Sequence, residues 1–278
     1  MGFLPDRLGR LQVHALASGS SGNCTLIQGG GTSIVLDAGL PLKNIAAALS
    51  KRGVSPDRLD AILLTHEHSD HVQGLGPLSR RGRTPVVANA ATLSAAASRD
   101  GLTFETTELD TGCEIQIGSL SIRSFAVSHD AVAPVGYRIS CGPASVFYAT
   151  DVGFVSPELR TAIAGCQLAI LEANHDLEWL RRGPYTPLMK ERVASSTGHL
   201  SNAACAELLA WRAESGGPYC AWLAHLSRVN NSVALARRAV AARVAELTRT
   251  PVLLDVALRD HPSAFWQFGG AAVQLALL

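Results

Sequence analysis

Residues 65–71, with the sequence THEHSDH, constrain the fold more than any other part of this chain. They directly follow residues 61–64, a short apolar run bounded by polar residues, which is typical of a buried strand. Three histidines and an aspartate in seven positions are a dense cluster for a chain with 9 histidines in 278 residues. A solvated polar loop is the simpler interpretation, but this density favours a metal site at the end of a strand.

The spacing within this run predicts two neighbouring pairs of ligands. In an extended loop, side chains two residues apart point to the same side, so the His66 and His68 imidazoles can reach one cation. Asp70 and His71 follow at the start of a predicted turn or helix, and this pair can face a second cation. Imidazole and carboxylate ligands suit zinc, manganese or iron(II), whereas a cluster this rich in nitrogen argues against magnesium or calcium.

Three later residues have the type and position of further ligands. His129, Asp151 and His225 each follow a segment with the pattern of a strand, so a rigid element would project them towards a sheet edge. Taken singly, each is more typical of a helix cap or of a satisfied polar group. A carboxylate can bridge two cations with its two oxygens, so together with the first cluster these residues complete a ligand set for two divalent ions.

These residues resemble the signature of the metallo-β-lactamase superfamily, because HxHxDH matches residues 66–71 and the later ligands follow in the expected order. The resemblance covers about residues 11–255. It implies an α/β protein with a four-layer αββα sandwich. It also implies the following ligands: His66, His68 and His129 for one ion, Asp70, His71 and His225 for the other, and Asp151 as the bridge between them.

A single domain over residues 1–278 is expected, because the chain has no internal repeat, low-complexity tract or persuasive linker. We expect the strands before Asp151 to form one sheet and the strands after it to form the facing sheet, with helices outside. Residues 256–278 form a C-terminal segment with no assigned role. The clearest helix patterns cover residues 41–49, 201–214 and 231–248.

Three stretches outside the ligand set distinguish this chain from other members of the superfamily. They are residues 17–23 (ASGSSGN), 172–176 (EANHD) and 198–202 (GHLSN). The last two resemble motifs of the RNase Z group. With residues 225–231 the set looks closest to the YycJ/WalJ-like branch, whose members are regarded as DNA exonucleases.

Phosphodiester hydrolysis needs charge neutralisation, an in-line nucleophile and a proton for a poor alkoxide leaving group. Two cations can meet the first two needs, because they polarise phosphoryl oxygens and lower the pKa of a bridging water towards about 7, which makes a bridging hydroxide the nucleophile. His199, oriented by Glu172 or assisted by His175, is a source of the proton. The candidate catalytic residues are therefore Asp70, Glu172, His175 and His199.

Candidate substrate contacts lie in the Gly/Ser-rich stretch, in basic runs and after the last ligand. A Gly/Ser loop can cradle a phosphate with its N–H groups, although on its own residues 17–23 are better explained as a hairpin turn. Basic runs are usually solvated surface, but those between His175 and His199 can border the cleft. These candidates are Ser18, Ser20, Ser21, Asn23, Arg181, Arg182, Lys190, Arg192, Ser227 and Asn231.

The leading hypothesis is a metal-dependent DNA exonuclease with two divalent ions, zinc or manganese or else iron, and the resemblance suggests 5′-to-3′ polarity and a role in DNA repair. Two alternatives share the ligands. One is a small-molecule cyclic phosphodiesterase, which needs a closed pocket, and the other is a thioesterase or lactonase similar to glyoxalase II. A purely binding role is disfavoured because no ligand position is lost.

Composition fits a large α/β domain, with 47% hydrophobic and 17% charged residues. The 24 basic and 23 acidic residues give a net charge of +1, so affinity for nucleic acid must come from local groups and from the cations. Neither a run of eighteen apolar residues nor a signal-peptide pattern is present, which predicts a cytoplasmic protein without a membrane partner. The six cysteines lack paired spacing and are expected to be reduced, and the oligomeric state stays open.

Overall fold

The structure is a computed structural model, which describes residues 10–100, 103–217 and 219–268. In chain order the strands are β1 (Leu11–Ala17), β2 (Cys24–Gly29), β3 (Thr32–Leu36), β4 (Ala61–Leu63), β5 (Val86–Ala88), β6 (Thr106–Glu108), β7 (Glu114–Ile117), β8 (Leu120–Ala126), β9 (Val135–Cys141), β10 (Ala144–Ala149), β11 (Leu168–Glu172), β12 (Tyr219–Ala224), β13 (Val252–Val256) and β14 (Phe265–Phe268). The helices are α1 (Leu42–Ser50), α2 (Ser69–Val72), α3 (Leu75–Gly82), α4 (Ala90–Asp100), α5 (Pro157–Ile163), α6 (Leu177–Arg182), α7 (Pro187–Ala194), α8 (Asn202–Gly216) and α9 (Val233–Leu247).

The strands form two sheets of seven strands each within the described residues. The first sheet has the order β14-β1-β2-β3-β4-β5-β6, and the second has the order β13-β12-β11-β10-β9-β8-β7. The predicted division of the sheets at Asp151 is therefore wrong, because the chain changes sheets between β6 and β7. The antiparallel pairs β7·β8, β8·β9 and β9·β10 connect four strands that precede Asp151, and β10 pairs in parallel with β11, which follows it.

The C-terminal segment completes the first sheet. Strand β14 pairs with β1, so that Phe265 lies opposite His14 and Phe268 lies opposite Leu11. The sequence alone gives residues 256–278 no role, because a four-residue strand carries too weak a pattern. Residues 1–9 and 269–278, which belong to the predicted single domain, lie outside the described residues.

Apolar side chains fill the space between the sheets and beneath the helices, as the four-layer sandwich requires. Leu36 and Leu63 of the first sheet belong to one buried cluster with Ile139 and Trp222 of the second. Separate clusters join the outer face of the first sheet to α1 and α3, and that of the second sheet to α5, α8 and α9. The predicted αββα architecture is thus confirmed.

Short sequence patterns at the helix ends correctly predicted the main helices. Pro41 precedes α1, and Ser201 caps α8 by accepting a hydrogen bond from the Ala204 N–H. Ser232 caps α9 in the same way through the Leu235 N–H. All six cysteines are free thiols, as predicted. No helix among the described residues has the length and hydropathy required to cross a lipid bilayer.

Candidate metal centre

The candidate ligands meet where strands of both sheets end. Strands β3 and β4 run parallel, as do β10, β11 and β12, so their carboxyl ends lie at a common edge. Residues 65–71 follow β4, His129 lies in the loop after β8, Asp151 follows β10 and His225 directly follows β12. Both sheets therefore contribute side chains to one site.

Three strand ends at this edge place a non-glycine residue in the left-handed backbone region. The φ angle is 57° at Asp37, 56° at Asp151 and 53° at His225. For a residue with a Cβ atom, this conformation costs roughly 1 kcal/mol or more. Among the other described non-glycine residues only Arg83, at the end of α3, has a positive φ. Three of the four positive-φ residues other than glycine among the described residues therefore lie at this edge.

Two sets of three residues could each hold one cation. Within each set, the three ligand atoms lie within 4.8 Å of one another. One set is His66, His68 and His129, and the other is Asp70, His71 and His225. Asp151 lies between them, with one oxygen 3.7 Å from His129 Nε2 and the other 3.2 Å from His71 Nε2. The structure thus brings together all seven residues that the sequence predicts as ligands.

Polar groups other than imidazoles lie at the Nδ1 atom of four of the five candidate ligand histidines. The contacts are His71 to an Asp37 oxygen (2.8 Å), His225 to a Glu172 oxygen (2.9 Å), His66 to Thr65 Oγ1 (3.0 Å) and His129 to the Gly198 carbonyl (3.2 Å). Such partners fix the tautomer and the ring orientation of a metal-binding histidine. Nε2 is then the nitrogen directed towards the other candidate ligands, although His71 Nε2 also lies 3.0 Å from Asn23 Nδ2 and His66 Nε2 lies 3.1 Å from His68 Nδ1.

The residues present fit a divalent cation. Asp151 Oδ2 and His225 Nε2 are buried and make no hydrogen bond of normal geometry among the described residues. Their close polar neighbours are other candidate ligands, His71 Nε2 at 3.2 Å from Asp151 Oδ2 and Asp70 Oδ2 at 3.5 Å from His225 Nε2. Each such atom costs about 1–3 kcal/mol when it stays unpaired. Both atoms belong to residues of the ligand groups, so a bound cation would pair both of them. The mixture of imidazole nitrogen and carboxylate oxygen suits zinc, manganese or iron(II).

The electrostatic field of the site also favours cations. Burial alone would lower the pKa of His225, but Asp151, Asp70 and Glu172 outweigh it and raise this pKa to about 10. Burial alone would raise the pKa of Asp151, yet the His225 and His71 imidazoles hold it well below its usual range. The carboxylates therefore stay charged, and their negative potential stabilises positive charge at the ligand atoms.

Glu172 is fully buried at the end of β11 and accepts four hydrogen bonds. Its Oε2 accepts from the N–H groups of Val152 (2.8 Å) and Leu200 (3.1 Å), and its Oε1 from Nδ1 of His199 (2.8 Å) and His225 (2.9 Å). Burial opposes ionisation, but His199 and His225 lower the pKa of Glu172 to about 2. Both oxygens are occupied, and the contact with His199 is the one expected of a residue that orients this imidazole.

His199 stands beside the ligands, with its ring centroid 5.2 Å from that of His129 and 5.5 Å from that of His225. By distance it could also form a ligand group with Asp151, Glu172 and His225, but its Nδ1 already faces Glu172. Glu172 outweighs the effect of burial and raises the pKa of His199. Its side chain is 22% exposed, against 2% for His225. An imidazole held by a carboxylate and open to solvent is suited to proton transfer.

Residues 32–215 match the family described as "Beta-lactamase superfamily domain", and this match covers more than half of the chain. The chain belongs to the β-lactamase superfamily. The metallo-β-lactamase fold protein YhfI of Bacillus subtilis shares the fold, with a TM-score of 0.70 and 17% sequence identity over 93% of this chain and 100% of that chain.

Two relatives are much more similar in sequence than YhfI. The exodeoxyribonuclease WalJ of Streptococcus pneumoniae serotype 2 (strain D39 / NCTC 7466) is 37% identical over 235 residues, which cover 83% of this chain and 87% of that protein. The exodeoxyribonuclease YycJ of Bacillus anthracis is 35% identical over 232 residues, which cover 83% and 88%. The branch of the superfamily predicted from the sequence motifs is thus confirmed.

His175, the remaining catalytic candidate besides Asp70, is almost completely buried. Its backbone pairs with Ser201, and burial lowers the pKa of its imidazole to about 4. The ring is therefore neutral near pH 7 and cannot act as an acid there. The His175 carbonyl accepts the Asn202 N–H (2.8 Å), so His175 holds the segment that carries His199 and Ser201.

Four predicted substrate contacts are buried in the superfamily scaffold: Ser18, Asn23, Ser227 and Asn231. The Ser18 hydroxyl accepts the His225 N–H (2.9 Å), and Asn23 Nδ2 lies 3.0 Å from His71 Nε2. Ser227 accepts from the Asn230 N–H, and Asn231 donates to the carbonyl of Ala173. These side chains hold the ligand loops in place, so they do not reach a substrate.

The other six predicted contacts have accessible side chains. Ser20 and Ser21 line a cleft of about 450 Å³ that also contains Asp70. Arg192 lines a smaller cavity of about 110 Å³ together with His129 and His199, and its Nε is 2.8 Å from an Asp130 oxygen. The last three, Arg181, Arg182 and Lys190, lie on α6 and α7, where the two arginines pair with Glu178 and the lysine donates to the Arg181 carbonyl.

Sequence reasoning missed two residues of the site, Asp37 and Thr65. Asp37 is fully buried, bonds to His71 and accepts both the N–H and the hydroxyl of Thr65. A signal was present, because Asp37 follows the buried strand β3 just as Asp151 follows β10. No sequence pattern marked Thr65, because the role of its hydroxyl depends on its contacts with the histidines.

Proposed function

We propose that this protein is a metal-dependent phosphodiesterase that degrades DNA from an end. The observation that carries the proposal is the Glu172–His199 pair, which presents one accessible imidazole beside two groups of candidate metal ligands. WalJ and YycJ are both named exodeoxyribonucleases, and the chain is 35–37% identical to them over most of its length. Lactam and thioester cleavage release better leaving groups, so they have less need of such an imidazole.

The proposed metal content is two divalent cations, zinc or manganese, with iron as a third candidate. His66, His68 and His129 would hold one, Asp70, His71 and His225 the other, and Asp151 would lie between them. Bound cations neutralise phosphoryl charge and lower the pKa of a water towards about 7, so that a nucleophile exists at neutral pH.

His199 supplies the proton for the leaving group. Because Glu172 accepts the Nδ1 hydrogen, Nε2 is the nitrogen that remains for the substrate. When the P–O bond breaks, its electron pair goes to the departing alkoxide oxygen, which takes the Nε2 proton of the imidazolium. His199 is then neutral and keeps its Nδ1 hydrogen on Glu172, so its ring does not have to reorient during the step.

The remaining parts of the proposal concern the type of nucleic acid, the polarity of degradation, the cellular role and the compartment. We propose DNA rather than RNA, 5′-to-3′ polarity and a role in DNA repair, with WalJ and YycJ as the supporting relatives. The cytoplasm is the proposed compartment, because six free thiols suit a reducing environment.

A panel of substrates tests this function. Purified protein is incubated with 5′-phosphorylated linear duplex DNA, single strands, circular DNA, RNA, a cyclic nucleotide and a glutathione thioester. Each is tested with Mn²⁺, with Zn²⁺ and with chelator, and duplexes labelled at either end report polarity. Asp151→Asn serves as the variant that lacks the central carboxylate.

Degradation of linear but not circular DNA, dependent on metal and lost in Asp151→Asn, is the expected result. Turnover of the cyclic nucleotide alone would identify a small-molecule phosphodiesterase. Turnover of the thioester alone would overturn phosphodiester chemistry altogether.

A further inference from the structure

The candidate metal centre opens towards solvent through two different spaces. The cavity of about 110 Å³ contains His199, the proposed proton donor, and Arg192. The cleft of about 450 Å³ contains Asp70 but not His199, and its volume matches pockets for nucleotide-sized ligands. A substrate whose leaving group faces His199 therefore has its other side near this cleft.

The cleft is lined mostly by hydrogen-bond donors. Its lining includes Ser20, Ser21, Ser69, Asp70, Gln73 and Arg99. Only Asp70 among them is acidic, and it is a candidate metal ligand whose charge a bound cation would balance. The Ser20 and Ser69 hydroxyls, the Gln73 amide and the Arg99 guanidinium can donate to an anion. The Ser21 hydroxyl already donates to an Asp260 oxygen (2.8 Å).

Arg99 is the cationic group of this cleft. Its Nη1 donates to the Glu67 carbonyl (3.3 Å), which ties the guanidinium to the backbone between His66 and His68. No carboxylate of the described residues lies within ion-pair distance of it, in contrast to Arg192 on the other side, which pairs with Asp130. Arg99 therefore retains N–H groups for a ligand, and planar N–H groups of arginine match phosphate oxygens well.

The serine loop of the cleft has a fixed shape. Asn23 Oδ1 accepts the Gly19 N–H (2.8 Å), and the Gly22 N–H donates back to the Gly19 carbonyl (2.8 Å). Gly22 has a φ of 149°, and a Cβ atom there would lie 2.5 Å from the Gly39 carbonyl oxygen, so glycine is required. Ser20 and Ser21 are both exposed on this rigid loop, and the Ser21 hydroxyl donates to Asp260, which leaves the Ser20 hydroxyl for a ligand. Donors that are already in position bind an anion without a large ordering penalty.

We propose that Arg99, with the hydroxyl of Ser20, binds a second phosphate group of the substrate, next to the phosphodiester that is cleaved. This inference rests on the proposed phosphodiesterase function and deepens it. A second phosphate is present in a polynucleotide or a phosphorylated dinucleotide and absent from a cyclic nucleotide. Arg99 is thus a specificity-determining residue for nucleic acid.

The test compares three dinucleotides that share one cleavable bond: TpT, pTpT and TpTp. The wild-type enzyme is expected to prefer one of the two phosphorylated forms over TpT by about tenfold to a hundredfold in kcat/KM, the effect of one charge-assisted hydrogen-bond pair. In Arg99→Ala that preference should fall to about one, and in Arg99→Lys it should be intermediate. Arg123→Ala, which removes an exposed arginine of β8 outside this cleft, is the matched control and should keep the wild-type preference.

A second measurement does not depend on turnover. Anisotropy of a fluorescein-labelled oligonucleotide in chelator reports binding, and inorganic phosphate should compete better with wild type than with Arg99→Ala. Equal cleavage of all three dinucleotides by wild type, or an unchanged preference in Arg99→Ala, would overturn the role of Arg99 while leaving the phosphodiesterase intact. Failure of wild type to cleave any dinucleotide or longer DNA would instead overturn the proposed function.

Discussion

Each of the two sheets contributes one buried carboxylate that orients histidines. The two carboxylates differ in the exposure of the residues that they contact. Asp37 follows β3 of the first sheet and bonds to Thr65 and His71, which are both buried. Glu172 ends β11 of the second sheet and bonds to His225, which is buried, and to His199, which is accessible. The same arrangement therefore orients only buried candidate ligands on one side, whereas on the other side it orients a buried candidate ligand together with an accessible imidazole.

The largest effect should come from Glu172→Gln, because this change removes the shared acceptor of two histidines. Metal affinity should fall about ten- to a hundredfold through His225, and the rate should fall further through His199, to about a thousandfold in total at limiting metal. Metal titration with a chelator-buffered series, followed by DNA cleavage at each point, separates the two losses. Full recovery of the rate at excess metal would show that Glu172 does not act on His199.

His199→Ala should slow cleavage of a natural phosphodiester about a hundredfold and leave the metal content unchanged. The deficit should shrink below about tenfold for a p-nitrophenyl diester, because p-nitrophenolate leaves without a proton. The ratio of the two rates is the measurement, with metal analysis alongside. His175→Asn is the control and should keep the wild-type ratio, whereas equal deficits for both substrates in His199→Ala would remove its role as proton donor.

Asp37→Asn should affect metal binding without changing the chemistry at saturation. The side-chain amide introduced by this change can present a donor to the His71 Nδ1–H, so affinity for metal should fall about ten- to a hundredfold. At excess Mn²⁺ or Zn²⁺ we expect kcat within about threefold of wild type. A deficit in kcat that persists at every metal concentration would show that Asp37, like Glu172, affects more than metal binding.

The smallest effect concerns stability. A cation held at about a hundred times its Kd adds roughly 2.7 kcal/mol, so chelation should lower the Tm of wild type by about 5–10 °C. The shift should be smaller in both Asp37→Asn and Glu172→Gln, because each binds metal more weakly. Differential scanning calorimetry with and without chelator measures it, and an unchanged shift in either variant would argue that the corresponding carboxylate does not support a cation.

The ligands could be predicted because their signals are local. His66, His68, Asp70 and His71 lie on one short segment after a buried strand, and the polar residue after a strand pattern is visible for Asp151 and His225 as well. Asp37 has the same signal, but it has no histidine beside it in the sequence to draw attention to it. The seven predicted ligands stay a prediction until metal is observed, although the structure places them together.

The substrate contacts were harder to predict, because residue type does not tell whether a side chain faces inward. Ser18 and Asn23 lie on the same loop as Ser20 and Ser21, yet the first pair is buried and the second is exposed. Arg99 was missed because a single arginine near the end of a helix has no pattern; it borders the site only because α4 brings it next to the Glu67 carbonyl.

The amino-acid sequence by itself determined which side chains can bind metal, which segments form the strands that lead to the candidate ligands, and which branch of the superfamily the chain belongs to, because all of these depend on short-range spacing and on residue chemistry. The tertiary structure decided which sheet each strand joins, which carboxylate orients which histidine and which polar side chains reach solvent. These features depend on contacts between residues such as Glu172 and His225, which are 53 positions apart, and only the packing of the two sheets brings such residues within hydrogen-bond distance.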